Sequence, residues 1–162
     1  MPRKLRLVPI AVVIATAVAG CGGSSSGSSA TAKQQLVAQA DTICKKISVE
    51  RTAANAAVSK ANPSTAKILA ALARVAPPVA VDEHKVIVRL HALKAPASVA
   101  TDWQKLLAGM EVLANDATQI GEHAKAHQYN AIVSLTSSGR KVREELTTIA
   151  NHDGFAYCGR TS

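Results

Sequence analysis

Two histidines in the second half of the chain have a spacing that could support metal chemistry. His123 and His127 are four residues apart, and on one helix this spacing places two imidazoles on the same side, where they can share a metal ion. The pattern is not that of a helical zinc site, because Ala124 follows the first histidine and no third ligand can be identified. The sequence therefore predicts solvent-exposed histidines at a helix end, no metal ion and no other cofactor.

The remaining histidines offer weaker chemistry. His84 and His91 would share one face of a helix, but basic neighbours make this a typical solvated surface. His152 and Asp153 could form a dyad with a serine nucleophile, whereas a histidine at a helix C-terminus is also favoured by the helix dipole. The sequence has no glycine-rich phosphate loop and no nucleophile elbow. No catalytic residue is predicted, and the protein is not expected to be an enzyme.

Cys21 has a setting typical of lipid attachment. Three basic residues within positions 3–6 precede a mostly apolar run at 7–19, which is shorter than the roughly 20 residues of a membrane-spanning helix. Val18, Ala19 and Gly20 directly before Cys21 resemble a bacterial lipobox, with cleavage after Gly20 and a diacylglyceryl group on the cysteine. An ordinary signal peptide with an incidental cysteine, or an uncleaved anchor, are the alternatives.

The residues after Cys21 fit a lipid anchor. Positions 22–29 contain only glycine and serine, which bury no core and behave as a flexible tether. We therefore expect a lipoprotein signal peptide at 1–20, a lipidated tether at 21–30 and a folded domain at 31–162. Attached acyl chains would hold the protein on the extracytoplasmic face of the cell membrane, with membrane lipid as its first partner.

Two cysteines remain, Cys44 and Cys158. In an exported protein an even pair predicts a disulfide. Such a bond would join the first folded segment to the last, and the long loop it closes gives a stabilisation of roughly 4 to 5 kcal/mol in a chain-entropy estimate. The alternative is two unrelated thiols.

The charge of the chain restricts its partners only moderately. The net charge of +8 loses three units, to +5, if Arg3, Lys4 and Arg6 leave with the signal peptide. The remaining basic residues are scattered, which is typical of a solvated surface, although a modest positive charge also favours anionic lipid head groups or anionic wall polymers. Nucleic acid is not an expected partner.

Apolar spacing of three, four and seven residues predicts helices along the mature chain. In the first helix these positions are Leu36, Ala40, Ile43, Ile47, Ala54 and Val58. Pro63 and a cap at Asn62 or Ser64 separate it from a short second helix, which ends at Pro77 and Pro78. A third begins near Pro78, with Asp82 and Glu83 near its positive end. Its β-branched run suggests a strand, but no similar partner segment exists.

The last two helices have the clearest pattern. The fourth is predicted to start after a Ser98 cap and to reach about His127, and the fifth starts near Tyr129 and ends near Asn151 with Gly154 as a left-handed C-cap. Trp103 opens the fourth helix, where it either packs into the core or serves as an exposed contact. The predicted fold is all-α, an antiparallel bundle of four to five helices in which the short second and third helices can act as one broken helix, joined by one disulfide.

The order of these features resembles that of small secreted lipoproteins of actinobacteria. The resemblance rests on the lipobox, the Gly/Ser tether, "QADTICKKI" around Cys44, "LKAPASVATDWQKLL" around Trp103 and "GFAYCG" around Cys158. It implies the location and the fold, and it carries over no catalytic residue.

The predicted function is that of a membrane-anchored, non-catalytic binding or scaffolding module of the cell envelope. Its partner would be an envelope protein or an anionic polymer. The alternative is a carrier of a small ligand or a metal, using the space between the helices or His123 and His127.

Overall fold

The computed structural model describes residues 26–61 and 64–160, and this part of the chain is all-helical, as predicted. Its four helices are α1 (Ser26–Lys60), α2 (Thr65–His91), α3 (Ala100–Lys125) and α4 (Tyr129–Asp153). The start of α1 at Ser26 lies within the segment predicted as a tether. None of the helices in the described ranges combines the length and the apolar character that crossing a membrane requires.

A single helix, α2, replaces the predicted second and third helices. The prediction that Pro77 and Pro78 end a helix is wrong, because α2 continues through both residues. A proline inside a helix removes one backbone hydrogen bond, and here the Pro77 ring packs against α3 at Gly121. A Cβ on Gly121 would lie only 3.0 Å from Pro77 Cγ, so the missing side chain permits this contact. Glu83 consequently lies in the middle of α2, and its predicted place near a helix start is wrong.

The helix ends agree with the predicted caps at two of three positions. Ser64 precedes α2, and its hydroxyl accepts a hydrogen bond from the backbone N–H of Lys67. Gly154 follows α4 in the left-handed conformation, with φ of 89°. The predicted Ser98 cap is wrong, because α3 has Val99 at its N-cap position and no side-chain capping bond there.

Consecutive helices pack against one another, most extensively α2 against α3. The main core takes its side chains from all four helices and from the tail after α4. Its largest members are aliphatic or aromatic, including Leu36, Ile47, Leu90, Trp103, Leu106, Met110, Leu146 and Phe155. A smaller cluster, formed by Leu69, Ala124 and Ile132, lies apart from it. The apolar surface is therefore buried in two unequal clusters.

The tail after α4 is packed down by more than its cysteine. Phe155 is 1% exposed, and its ring lies 5.8 Å from that of Trp103. The carboxylate of Asp41 in α1 accepts the backbone N–H groups of Ala156, Tyr157 and Cys158 at 2.7, 2.8 and 3.2 Å. These three hydrogen bonds satisfy donors that follow the end of the last helix. We call Asp41, Cys44, Trp103, Phe155 and Cys158 the disulfide region.

Candidate functional site

Cys44 and Cys158 form the predicted disulfide. Their Cα atoms are 5.2 Å apart, and the bond links residues 114 positions apart in the sequence. Both cysteines are fully buried, so the pair has a structural role in the disulfide region. Cys21 and its predicted recognition residues Val18, Ala19 and Gly20 lie outside the described residues.

The expectation that His123 and His127 lie on one helix is wrong. α3 ends at Lys125, and His127 has a φ of 58°, in the left-handed region. The two imidazoles therefore do not share a helix face. His123 Nδ1 instead lies 2.5 Å from the side-chain oxygen of Gln128.

His152 and Asp153 belong to a small charged cluster at the end of α4. His152 Nδ1 lies 3.2 Å from Asp153 and 3.6 Å from Asp102. Together these three residues are the only group in the described ranges with the composition and spacing to hold a metal ion. The ammonium of Lys33, 2.8 Å from Asp153 Oδ1, already neutralises the buried carboxylate. This ion pair fastens α1 to the end of α4, while Asp153 Oδ2 is buried and has no hydrogen-bond partner within the described residues.

The other residues singled out by the sequence have ordinary positions. His84 is exposed, and the exposed His91 lies 2.7 Å from Glu111. Trp103 is 4% exposed, which leaves no ring surface for an external contact and agrees with the packing interpretation.

A cleft lies between the four helices, outside the disulfide region. Its volume is about 480 Å³, within the usual range of small-molecule sites. All four helices contribute to its walls. The apolar lining is mainly Val58, Leu72, Val75, Ala76, Val79, Leu113, Ile120 and Leu135, and the charged lining is Arg51, Glu83, Asp116 and Arg143.

The apolar face of α1 explains how one helix serves both regions. Leu36, Ala40 and Ile47 on this face are buried in the main core, whereas Ala54 and Val58, farther along the same face, are only half-buried. Their exposed sides line the cleft. The apolar periodicity of α1 therefore continues beyond the part of the helix that is buried in the main core.

Arg51 and Glu83 form an ion pair in the wall of the cleft. Arg51 Nε donates to Glu83 Oε1 at 2.6 Å, and the side chains are 17% and 5% exposed. The second carboxylate oxygen, Oε2, is buried and has no hydrogen-bond partner within the described residues. Buried polar atoms nearly always have a partner, and Asp153 Oδ2 at the end of α4 is a second buried oxygen without one in the described residues.

Asp116 and Arg143 are the other two charged residues that line the cleft. Burial raises the pKa of the Asp116 carboxyl, and the positive charge of Arg143 opposes this shift. The guanidinium also donates to the backbone oxygen of Thr136 at 2.9 Å. Gly139 makes room for both side chains, since a Cβ there would lie 3.0 Å from Asp116 Oδ2 and 3.1 Å from an Arg143 nitrogen.

The sequence contained one sign of this site. Glu83 follows Val79 by four residues and precedes Val86, Ile87 and Leu90 on the same apolar face of α2. A charged residue on an apolar helix face is rarely buried unless it has a partner. The predicted position of Glu83 at a helix N-terminus made a charged residue there look ordinary. Arg51, Asp116 and Arg143, which line the same cleft, lie on other helices and show no sequence pattern that links them to Glu83.

Comparison with family models, with curated proteins and with solved structures finds no match for this chain.

Proposed function

We propose that this protein is a non-catalytic binding module of the cell envelope, which takes a small ligand into the cleft between its four helices. The observation that carries the proposal is the cleft, in which half-buried apolar side chains surround a buried ion pair with one unpartnered oxygen. A cavity with an apolar lining and a few convergent polar groups is typical of a small-molecule site. Each polar group there would fix the orientation of the ligand.

The proposal includes the lipid anchor and the extracytoplasmic location. Its support is the sequence around Cys21 and the disulfide between Cys44 and Cys158, because disulfides persist in oxidising compartments and are rare in the cytosol. The membrane would keep the cleft close to ligands at the cell surface. The resemblance to actinobacterial lipoproteins belongs to the same proposal.

The antiparallel bundle is also part of the proposal. Its support is the short connections at residues 61–64, 92–99 and 126–128, which separate consecutive helices that pack on one another. Long helices joined by short connections pack as antiparallel neighbours.

Native mass spectrometry of the protein released from its own membranes tests binding. We expect a population with added mass that is lost on activation in the gas phase. Ala117 also lines the cleft, and a variant with Ala117→Leu, whose larger side chain narrows it, should lack this added mass. An added mass that persists in Ala117→Leu would place the ligand elsewhere, and a wild-type protein free of ligand, even after incubation with an envelope extract, would contradict the proposal.

An intact-mass spectrum of the denatured protein tests the anchor separately. We expect a chain that starts at Cys21 and carries the mass of acyl chains. A start at another residue without lipid would refute the anchor and leave the binding proposal standing.

A further inference from the structure

Three side chains where α3 begins and α4 ends have the composition of a metal site. Asp102 lies in the first turn of α3, and His152 and Asp153 form the end of α4. Each offers one ligand atom, and these atoms all lie within 4.8 Å of one another. None of the three residues lines the cleft. We call them the Asp–His cluster, which is independent of the proposed small-molecule site.

The distances within the Asp–His cluster match those around one small cation. The Nδ1 atom of His152 lies 3.2 Å from Asp153 Oδ1 and 3.6 Å from Asp102 Oδ2. Nitrogen and oxygen ligands bind zinc at about 2.1 Å, so two ligands of a tetrahedral zinc ion lie roughly 3.4 Å apart. The two measured distances lie on either side of this value. One ion therefore fits between the side chains after small rotations of the exposed ones.

The charges around the Asp–His cluster favour a cation. Lys33 contacts Asp153 Oδ1 at 2.8 Å, but its single positive charge faces two carboxylates. The largely exposed Lys105 approaches Asp102 only to 4.0 Å, and such surface pairs contribute little. A carboxylate oxygen has two lone pairs, so Asp153 Oδ1 can accept from Lys33 and bind an ion at the same time.

The buried carboxylate of Asp153 is a separate indication of a missing positive charge. Its side chain is 1% exposed, and Oδ2 has no hydrogen-bond partner within the described residues. A buried carboxylate costs free energy unless it is paired and hydrogen-bonded. Its two oxygens share one delocalised charge, so an ion on Oδ1 compensates both without contact to Oδ2. Oδ1 is contacted by His152 and Lys33, whose side chains are 71% and 31% exposed, and their rotation gives an ion access from solvent.

We propose that the Asp–His cluster binds one zinc ion through His152 Nδ1, Asp153 Oδ1 and one oxygen of Asp102, with water in the open position. Three protein ligands and one water are the usual composition of an open zinc site. The imidazole favours zinc over calcium and magnesium, which prefer oxygen ligands. The ion would join the start of α3 to the end of α4.

Calorimetry with zinc tests the site. The sample is the full chain without a histidine tag and with Cys21→Ser, because a free thiol would itself bind zinc, and a chelator removes metal beforehand. We expect one zinc ion per chain and much weaker binding of magnesium and calcium. Zinc should also raise the melting temperature, because an ion that binds only the folded state stabilises it.

His152→Ala and Asp102→Asn identify the ligands. The two side chains are 71% and 33% exposed, so these changes leave the core intact. Each should weaken zinc binding at least about tenfold, since even changes behind the ligands have effects of this size, and should reduce the zinc-dependent rise in melting temperature. The matched control is His91→Ala, which removes another exposed histidine beside a carboxylate, that of Glu111, and should change neither measurement.

The remaining outcomes would overturn the proposal. Zinc binding that persists in both His152→Ala and Asp102→Asn, or that falls equally in His91→Ala, would indicate an adventitious ion only. Calcium or magnesium bound as tightly as zinc would contradict the role of the imidazole. A chain that is folded by circular dichroism and binds no zinc would exclude the site. None of these results bears on the small-molecule proposal, which Ala117→Leu tests separately.

Discussion

The disulfide region and the cleft share α1 and α3 but differ in how their polar groups are satisfied. In the disulfide region the Asp41 carboxylate accepts three backbone N–H groups, and the aromatic rings of Trp103 and Phe155 fill the space between the helices. In the cleft a buried carboxylate keeps one oxygen without a partner. One region is arranged for stability, and the other retains features that cost stability. Such a cost is typical of functional sites.

Removal of the disulfide should give the largest effect. Replacing both Cys44 and Cys158 with serine releases a link across 114 positions, and we expect the free energy of unfolding to fall by about 4 to 5 kcal/mol. Chemical denaturation with the linear extrapolation method measures this change.

Reductant provides the control for the disulfide. It should destabilise the wild-type protein by a similar amount and leave the double variant unchanged. A double variant as stable as the wild type would show that the main core holds the disulfide region together without the covalent bond.

Replacing the ion pair of Arg51 and Glu83 should raise the free energy of unfolding, whereas removing the disulfide should lower it. Buried ion pairs are often replaced by apolar residues without loss of stability, so a protein with Arg51→Met and Glu83→Leu should gain about 1 to 4 kcal/mol. Each single variant should have a lower free energy of unfolding than the double variant, because it leaves one charge without its partner. A double variant clearly less stable than the wild type would mean that the cleft, like the disulfide region, is arranged for stability.

Replacing the carboxylate of Asp41 should change the free energy of unfolding by less than either of these changes. Asp41→Asn keeps one acceptor oxygen but loses the charge and one of the acceptors, and we expect a loss of about 2 kcal/mol. Hydrogen exchange should rise first at Ala156 and Tyr157. The control is Glu122→Gln, a change of the same kind on the exposed side of α3, which should alter neither the stability nor the hydrogen exchange of the tail. Hydrogen-exchange protection retained at the tail in Asp41→Asn would refute the role of the carboxylate.

Replacing Asp116 should change the free energy of unfolding least, and the change should depend on pH. Burial raises the pKa of the Asp116 carboxyl in the folded state above its ordinary value of 3.8, so folding disfavours the ionised form and this cost is fully present above the folded-state pKa. Asp116→Asn should therefore be more stable than the wild type at neutral pH, by about 0.5 kcal/mol. The advantage should fade as the pH falls through the folded-state pKa towards 3.8, and an advantage independent of pH would contradict this origin.

Much of the fold followed from local patterns. The periodicity of Trp103, Leu106 and Met110 predicted α3, and Gly154 predicted the end of α4, because each depends on a few neighbouring residues. The break at Pro77 was predicted wrongly, because its resolution depends on Gly121 in another helix. A local rule fails where a distant residue supplies the compensating contact.

The sequence by itself determined the helical class, the lengths of most helices and the pairing of Cys44 with Cys158, since periodicity, caps and the two cysteines that remain beside Cys21 belong to the chain's own pattern. Only the tertiary structure decided that Trp103 is buried, that His127 leaves its helix, and that Arg51, Glu83, Asp116 and Arg143 meet around one cleft. The physical reason is that these four charges come from four different helices, and only the packing of those helices brings them together.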